Sequence, residues 1–219
     1  MSAADGTNSD VTGPRATPAA TEIDLSERNW TLPDGTRVCL DLLGRADRAD
    51  LLAGFAELSR RSRYLRFFSA MNEVPADLID RLLDTDPHRH VAIGARLLSV
   101  NEDVQAPLVG VARYFRMHAS SDSAEVELVA ADAMQERGLG HLLVRVITAH
   151  AGANGVALLR AYALAENVPM RHLLLESHGV LVERDGPVEL YHIGIGAHTV
   201  APAFLSVRPP QLKSEPGRR

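Results

Sequence analysis

Apolar and polar residues alternate with period two in some stretches of this chain and recur with helical spacing in others, and the order of these stretches outlines the fold. Residues 36–43, "TRVCLDLL", read as a strand after the turn Pro33-Asp34-Gly35. The segment "RADRADLLAGFAELSRRSRYLRFF" carries helical spacing, as one helix or as two joined near Ser62. Residues 75–83 predict a short helix with Pro75 in its first turn. "HVAIGARLLSV" and "PLVGVARYFRM" are apolar runs separated by the polar loop 101–106, hence two strands of a hairpin or meander. "AEVELVAAD" is the next strand, and a helix that begins after Gly138 and ends at 152–155 follows it. Residues 156–164, "VALLRAYAL", return to strand spacing. "PMRHLLLESHG" predicts a helix with Asn167 near its start and Gly179 as its C-cap. "VLVERDGPVELYHIGI" reads as a hairpin turning at Asp185-Gly186.

The strand–helix–strand unit over residues 125–164 demands a crossover, and therefore one parallel pairing. The other connections are compatible with antiparallel neighbours. The predicted class is a mixed α/β fold: a mostly antiparallel central sheet with one parallel pair and flanking helices. Residues 1–28 are rich in Ala, Thr, Ser, Gly and Pro without apolar periodicity, which predicts a disordered tail. Residues 29–200 form one domain, and 201–219 read as a flexible C-terminal tail.

Composition changes this picture mainly by exclusion. With 219 residues, 46% hydrophobic and 23% charged, the chain has ordinary globular usage and enough length for one core. A net charge of −5 argues against nucleic acid as a partner. No apolar run is long enough to span a membrane, and the first residues lack the basic and apolar regions of a signal peptide. The expected location is cytoplasmic. Cys39 is the single cysteine, so no internal disulfide forms, and no His/Cys cluster has metal-ligand spacing.

The candidate chemistry begins at "MQERGLGHLL". Leu139, Leu142, Leu143, Val146 and Ile147 fall on one helical stripe. The N–H groups at the start of such a helix lack intrahelical partners, and the helix dipole adds partial positive charge. Gly138 and Gly140 remove side chains that would keep an anion from those amides, and Arg137 adds a formal charge. The product is a cradle for a pyrophosphate. A tight turn that uses glycine for backbone freedom is the plainer reading of the same four residues. The Walker and dinucleotide-binding fingerprints are both absent.

Gln135-Glu136-Arg137-Gly138-Leu139-Gly140 resembles the Q/R-x-x-G-x-G/A signature of the GCN5-related N-acetyltransferases. "AEVELVAAD" is similar to that family's fourth strand, "AENVPMRHLLLESHG" to its later Asn-bearing helix, and the closing hairpin also fits. "LSRRSRYLRFF" is similar to a helix of bacterial Pat-type protein lysine acetyltransferases. The resemblance implies an N-acetyltransferase that carries acetyl from acetyl-CoA to an amine, most readily a protein lysine, by direct attack in a ternary complex. No metal is implied.

It also implies roles. Backbone amides of Arg137, Gly138, Leu139, Gly140 and His141 would hold the pyrophosphate, with Gln135 in the same motif. Pantetheine would run along Leu128, Val129 and Ala130, with an N–H near Val129 facing the thioester oxygen. Asn167 would bond pantetheine or cap its helix. Glu125 matches the family's general base, and Glu127, two residues on, shares its face of the strand. Glu127 stands as a substitute base or a group that recognises the amine. Leu175 falls where many relatives carry a tyrosine acid. Arg60, Arg61, Arg63 and Arg66 read as a solvated helix face, or as a greeting for an acidic substrate surface or for the 3′-phosphate of coenzyme A. A small-molecule amine acetyltransferase and a non-catalytic acyl-CoA-binding module remain alternatives, and the sequence leaves oligomeric state open.

Overall fold

Where alternating side chains are buried decides how the strands lie. The computed structural model describes residues 28–69, 71, 73–98 and 106–196. Both predicted tails, apart from Arg28, and nearly all of the 101–106 loop lie outside the described residues. The strands are β1 (Asn29–Thr31), β2 (Arg37–Leu42), β3 (His90–Leu97), β4 (Leu108–Phe115), β5 (Ser123–Ala130), β6 (Leu158–Leu164), β7 (Val180–Asp185) and β8 (Val188–Gly194). They form one sheet in the order β1-β2-β3-β4-β5-β6-β8-β7. The β5–β6 pair is parallel and the other pairs are antiparallel. This is the predicted mixed class.

The helices are α1 (Arg48–Glu57), α2 (Arg60–Phe67), α3 (Ala76–Leu82), α4 (Leu139–Ala153) and α5 (Val168–Glu176). One sheet face carries α4 and α5. There the predicted stripe Leu139, Leu142, Leu143, Val146 and Ile147 is buried with Ala112, Tyr114, Val126 and Tyr191. The opposite face carries α1 and α3, whose Leu51, Phe55, Ile79 and Leu82 pack with Ala92 and Val111. Val111 and Ala112 are sequence neighbours in different cores, as strand alternation requires. The second core draws no residue from β6, β7 or β8, so its helices cover only part of the sheet.

The structure departs from the sequence reading at several joints. β1 was not anticipated, because three residues are too few to show a period. It is extended by Arg28, whose carbonyl accepts from the Leu40 N–H at 2.7 Å, so residue 28 belongs with the sheet and not with the tail. The break between α1 and α2 lies at Leu58 and Ser59, not at Ser62. Leu58 is extended, and the Ser59 side chain caps α2 by accepting from the Ser62 N–H at 3.1 Å.

Gly179 is not the left-handed cap of α5. That conformation belongs to His178, with φ of 62°. Gly179 is needed for a different reason: a Cβ there would lie 2.6 Å from the Leu174 carbonyl oxygen, a backbone atom that cannot step aside. Gly179→Ala is therefore expected to lose about 1–3 kcal/mol, a fall in Tm of about 2–4 °C per kcal/mol for a domain of this size. Differential scanning calorimetry measures it, and an unchanged Tm would contradict the packing argument.

Candidate active site

β5 pairs with β4 as far as Ala130, but with β6 only from Ser123 to Val126. β6 meanwhile keeps its pairing with β8 up to Leu164. The two parallel strands therefore part after Val126 and leave an opening in the sheet. Two hydrogen bonds fix which backbone groups line it. The Ala131 N–H donates to Val109 O at 2.9 Å, and Asp122 O accepts from the Leu158 N–H at 3.1 Å. By the two-residue alternation of a ladder, odd-numbered residues of β5 bond β4 and even-numbered ones face β6. Leu128 and Ala130 thus turn their N–H and C=O toward the opening. The Val129 N–H is committed to β4, and its side chain packs on the α1 side. The donor that the sequence reading put near Val129 shifts by one residue to Leu128 or Ala130.

Past β5 the chain makes a 3-10 turn (Asp132–Met134) and enters the glycine loop. Asp132 anchors this turn, accepting from the Ser59 N–H at 2.7 Å and from Gln135 Nε2 at 2.9 Å. The Gln135 side chain is thereby occupied in the loop's own bonding. Glu136 and Gly138 are both left-handed, with φ of 59° and 89°. Such turns aim successive N–H groups into one concavity. The first backbone bond onto α4 is Leu142 N–H to Gly138 O at 3.1 Å, so Leu139, Gly140 and His141 precede any intrahelical acceptor.

The glycines also answer to packing. A Cβ on Gly138 would meet Pro33 Cδ at 2.7 Å, and one on Gly140 would meet Leu173 Cδ2 at 3.0 Å. Arg137 does not aim its charge at the cradle. Its guanidinium pairs with Asp34 and donates to Thr36 Oγ1 at 2.5 Å. The Thr36 N–H and Arg137 in turn hold the Asp34 carboxyl well below the usual range. Arg137 is thus a clamp between the loop and the β1–β2 turn, and the positive potential at the cradle comes from amides and the helix dipole. The His141 ring lies 2.8 Å from Glu176 Oε2 and ties α4 to α5. Asn167 caps α5, its Oδ1 accepting from the Met170 N–H at 3.2 Å.

Glu125 and Glu127 share the sheet face opposite Ala124, Val126 and Leu128, as alternation predicts, but their surroundings differ. Glu127 is gripped by two guanidiniums. Arg66 Nη2 of α2 reaches it at 2.6 Å, and Arg113 of β4 pairs with the same carboxylate. Burial alone would raise the Glu127 carboxyl, but these two cations outweigh it and hold it below the ordinary range. It is a fixed anion, which removes it as a substitute base. The arginine run is correspondingly not one solvated face, since the Arg66 side chain is only 13% exposed.

Glu125 has no hydrogen bond or ion pair among the described residues. Burial first, then the negative charge of Glu127, push it up to about 6, against the pull of Arg160, Arg113 and Arg66. Arg160 of β6 is in register with Glu125, and His192 of β8 with Arg160. Arg66, Arg113, Arg160 and His192 were not singled out as site residues from sequence. Strand register brings Arg113, Arg160 and His192 to this face, and the packing of α2 brings Arg66. Leu175 is 50% exposed and offers no proton. Among the described residues no group of His, Cys, Asp and Glu is placed to hold a metal, and no helix is long and apolar enough to cross a membrane.

No family model matches the chain. Over 143 residues it is 30% identical to Acetyltransferase PA5475 of Pseudomonas aeruginosa, a match spanning 65% of this chain and 75% of that protein. Its structure is similar to the GNAT domain of PAT from S. lividans, with a TM-score of 0.69 and 23% identity over 76% of this chain and 95% of that one. It is also similar to yncA of Salmonella typhimurium, solved with its cofactor acetyl-CoA, with a TM-score of 0.57 and 14% identity over 76% of this chain and 98% of that one. A parted parallel pair, a glycine-lined helix start and a relative of this extent converge on one conclusion: the chain belongs to the GCN5-related N-acetyltransferase family of acyltransferases.

Proposed function

We propose that this protein transfers the acetyl group of acetyl-CoA to a protein lysine by direct attack in a ternary complex, with Glu125 as general base. The observation that carries this reading is a carboxylate with a raised pKa and no hydrogen bond or ion pair among the described residues, on the strand whose edge opens after Val126. That opening exposes the backbone of Leu128 and Ala130, which suits an extended chain carrying amides of its own, as pantetheine does. The amides at the start of α4 suit a pyrophosphate. Bound there, acetyl-CoA would supply an activated thioester.

The protein's part is to move one proton and steady one oxygen. A lysine ammonium has a pKa of about 10.4, far above that of Glu125, so complete deprotonation before attack is uphill. Glu125 takes one proton from the ammonium, which frees the lone pair that attacks the carbonyl carbon; when the C–S bond breaks, the second proton leaves the nitrogen for the thiolate or for solvent. An N–H of Leu128 or Ala130 donates to the developing oxyanion. The departing thiolate needs no dedicated acid, because a thiol pKa of about 8.5 lets it leave near neutrality. That is consistent with leucine at position 175. The likeness of α2 to Pat-type enzymes favours a lysine presented on a protein surface, and α1 and α3 bury no residue of β6 or β8 in their core.

Two measurements test this. Calorimetric titration should give micromolar binding of acetyl-CoA and at least about tenfold weaker binding of acetyl-pantetheine, a loss of about 1.4 kcal/mol. Equal affinities would remove the pyrophosphate cradle, and no binding of either would remove the acetyl-transfer reading. Glu125→Gln should keep acetyl-CoA affinity while kcat falls about 10²- to 10⁴-fold. The wild-type rate should decline below about pH 6, and the variant should lack that limb. The sign for stability is opposite. A carboxyl raised in the folded state stabilises below its unfolded pKa and loses that contribution as pH climbs through the folded value. Glu125→Gln should therefore raise Tm at pH 8, by about 2 kcal/mol of stability at most, and leave it unchanged at pH 4. A variant with undiminished kcat would exclude Glu125 as the base.

A further inference from the structure

We infer that Arg160 determines acceptor specificity by holding an anionic group that the acceptor carries close to its reacting amine, an acidic residue beside the target lysine. The inference rests on the acetyl-transfer reading above and names the substrate class of that same site.

Arg160 lies on β6 in register with Glu125 on β5. Parallel neighbours point the same way, and adjacent strands are about 4.8 Å apart, so carboxylate and guanidinium stand side by side on the sheet face of α1 and α3, beyond the apolar core those helices form. Its other cross-strand neighbour is His192 of β8, and Tyr162 follows two residues along on the same face. Arg160 is not neutralised as its counterparts are. Arg66 and Arg113 share Glu127, Arg96 has Asp47 and Asp50, and Arg171 has Glu189. Arg160 makes no hydrogen bond or ion pair with a described residue, and its Nε is buried without a partner. A desolvated guanidinium donor without an acceptor is unfavourable unless a ligand supplies one.

The charge balance points the same way. Around Glu125 two carboxylates, Glu125 and Glu127, face three guanidiniums, those of Arg66, Arg113 and Arg160. His90 and His192 border the same face, and burial lowers both, which keeps them neutral near pH 7. Glu183 lies on β7, two strands beyond β6, and Glu166, just past β6, faces Arg61 of α2 at 3.9 Å, so neither offsets this charge. The immediate site is thus net positive when Glu125 is ionised. A polycationic amine gains nothing from it. An acceptor that presents an ammonium to Glu125 and a carboxylate to Arg160 is complementary to both, and a guanidinium takes a carboxylate through two parallel hydrogen bonds.

The experiment uses the full chain with saturating acetyl-CoA and three lysine peptides that differ only at the residues flanking the lysine: Asp, Gln or Arg. Free lysine and 1,5-diaminopentane form a second pair that differs in a carboxylate. The wild type should prefer the Asp-flanked peptide over the Arg-flanked one by at least about tenfold in kcat/KM, mainly through KM. Arg160→Gln should reduce that ratio to within about threefold, and Arg160→Lys, which keeps the charge but not the fork, should fall between. Because the readout is a ratio within each variant, a general loss of activity does not mimic the result. A preference for free lysine over the diamine without one among the peptides would reassign the anion to a small amino acid and overturn the protein-side form. Equal use of the three peptides and of both amines, or an undiminished ratio in Arg160→Gln, would overturn the inference itself. So would a variant that shifts only the acid limb of the pH profile, since that marks charge tuning of Glu125. Failure of acetyl-CoA to bind in calorimetry is a separate result, and it removes the acetyl-transfer reading first.

Discussion

The parting of β5 from β6 after Val126 is the constraint on which the rest of this molecule depends. A backbone N–H or C=O inside a fold has to find a partner, and here the sheet withholds one from Leu128 and Ala130. β5 does not fray, because its other edge stays paired to β4 through Ala130. The result is a rigid strand with one edge satisfied and the other available, in the middle of an otherwise continuous sheet. The crossover that makes β5 and β6 parallel also delivers the start of α4 to the same end of the opening. One topological feature therefore positions an exposed strand edge and an anion-binding helix terminus together.

A second layer of organisation is electrostatic. Two carboxylates on one strand face repel each other, and three elements cooperate to separate their properties. Arg66 from α2 and Arg113 from β4 converge on Glu127 and hold it as a permanent anion. That anion, with burial, raises Glu125. The α2 arginine thus links the helix that flanks the site to the carboxylate at its centre. Breaking one member of such a buried set leaves another charge uncompensated, which is more damaging than never having had the pair. The glycine loop is organised by similar economy. Gly138 serves a left-handed turn and the close approach of Pro33, Gly140 admits Leu173, and Arg137 ties the loop to Asp34. The loop is held by its packing and clamp, so its amides are oriented before any anion arrives.

Much of this was legible in the chain itself. The apolar stripe of α4, the alternation of β5, the crossover between them and the glycine signature are local patterns, and local patterns are what one sequence records. They determined the mixed sheet with its single parallel pair, the family, and the shared face of Glu125 and Glu127. The short strand β1 and the break at Ser59 were missed because each depends on a few residues whose conformation is chosen by their neighbours.

What only the tertiary structure decided was how residues distant in sequence meet. Whether Glu127 is a base or a fixed anion depends on Arg66, 61 positions away, and on Arg113 across a strand pair. Whether Val129 or its neighbours turn a donor to the opening depends on the ladder's register, where a shift of one residue exchanges every group between the two edges. Arg137 looked like a charge for the cradle until the fold brought Asp34 to it from 103 positions away. Sequence spacing fixes which face of an element a side chain occupies, but the charge it meets there is set by packing, and for the carboxylates of this site that charge separates a base from an anchor.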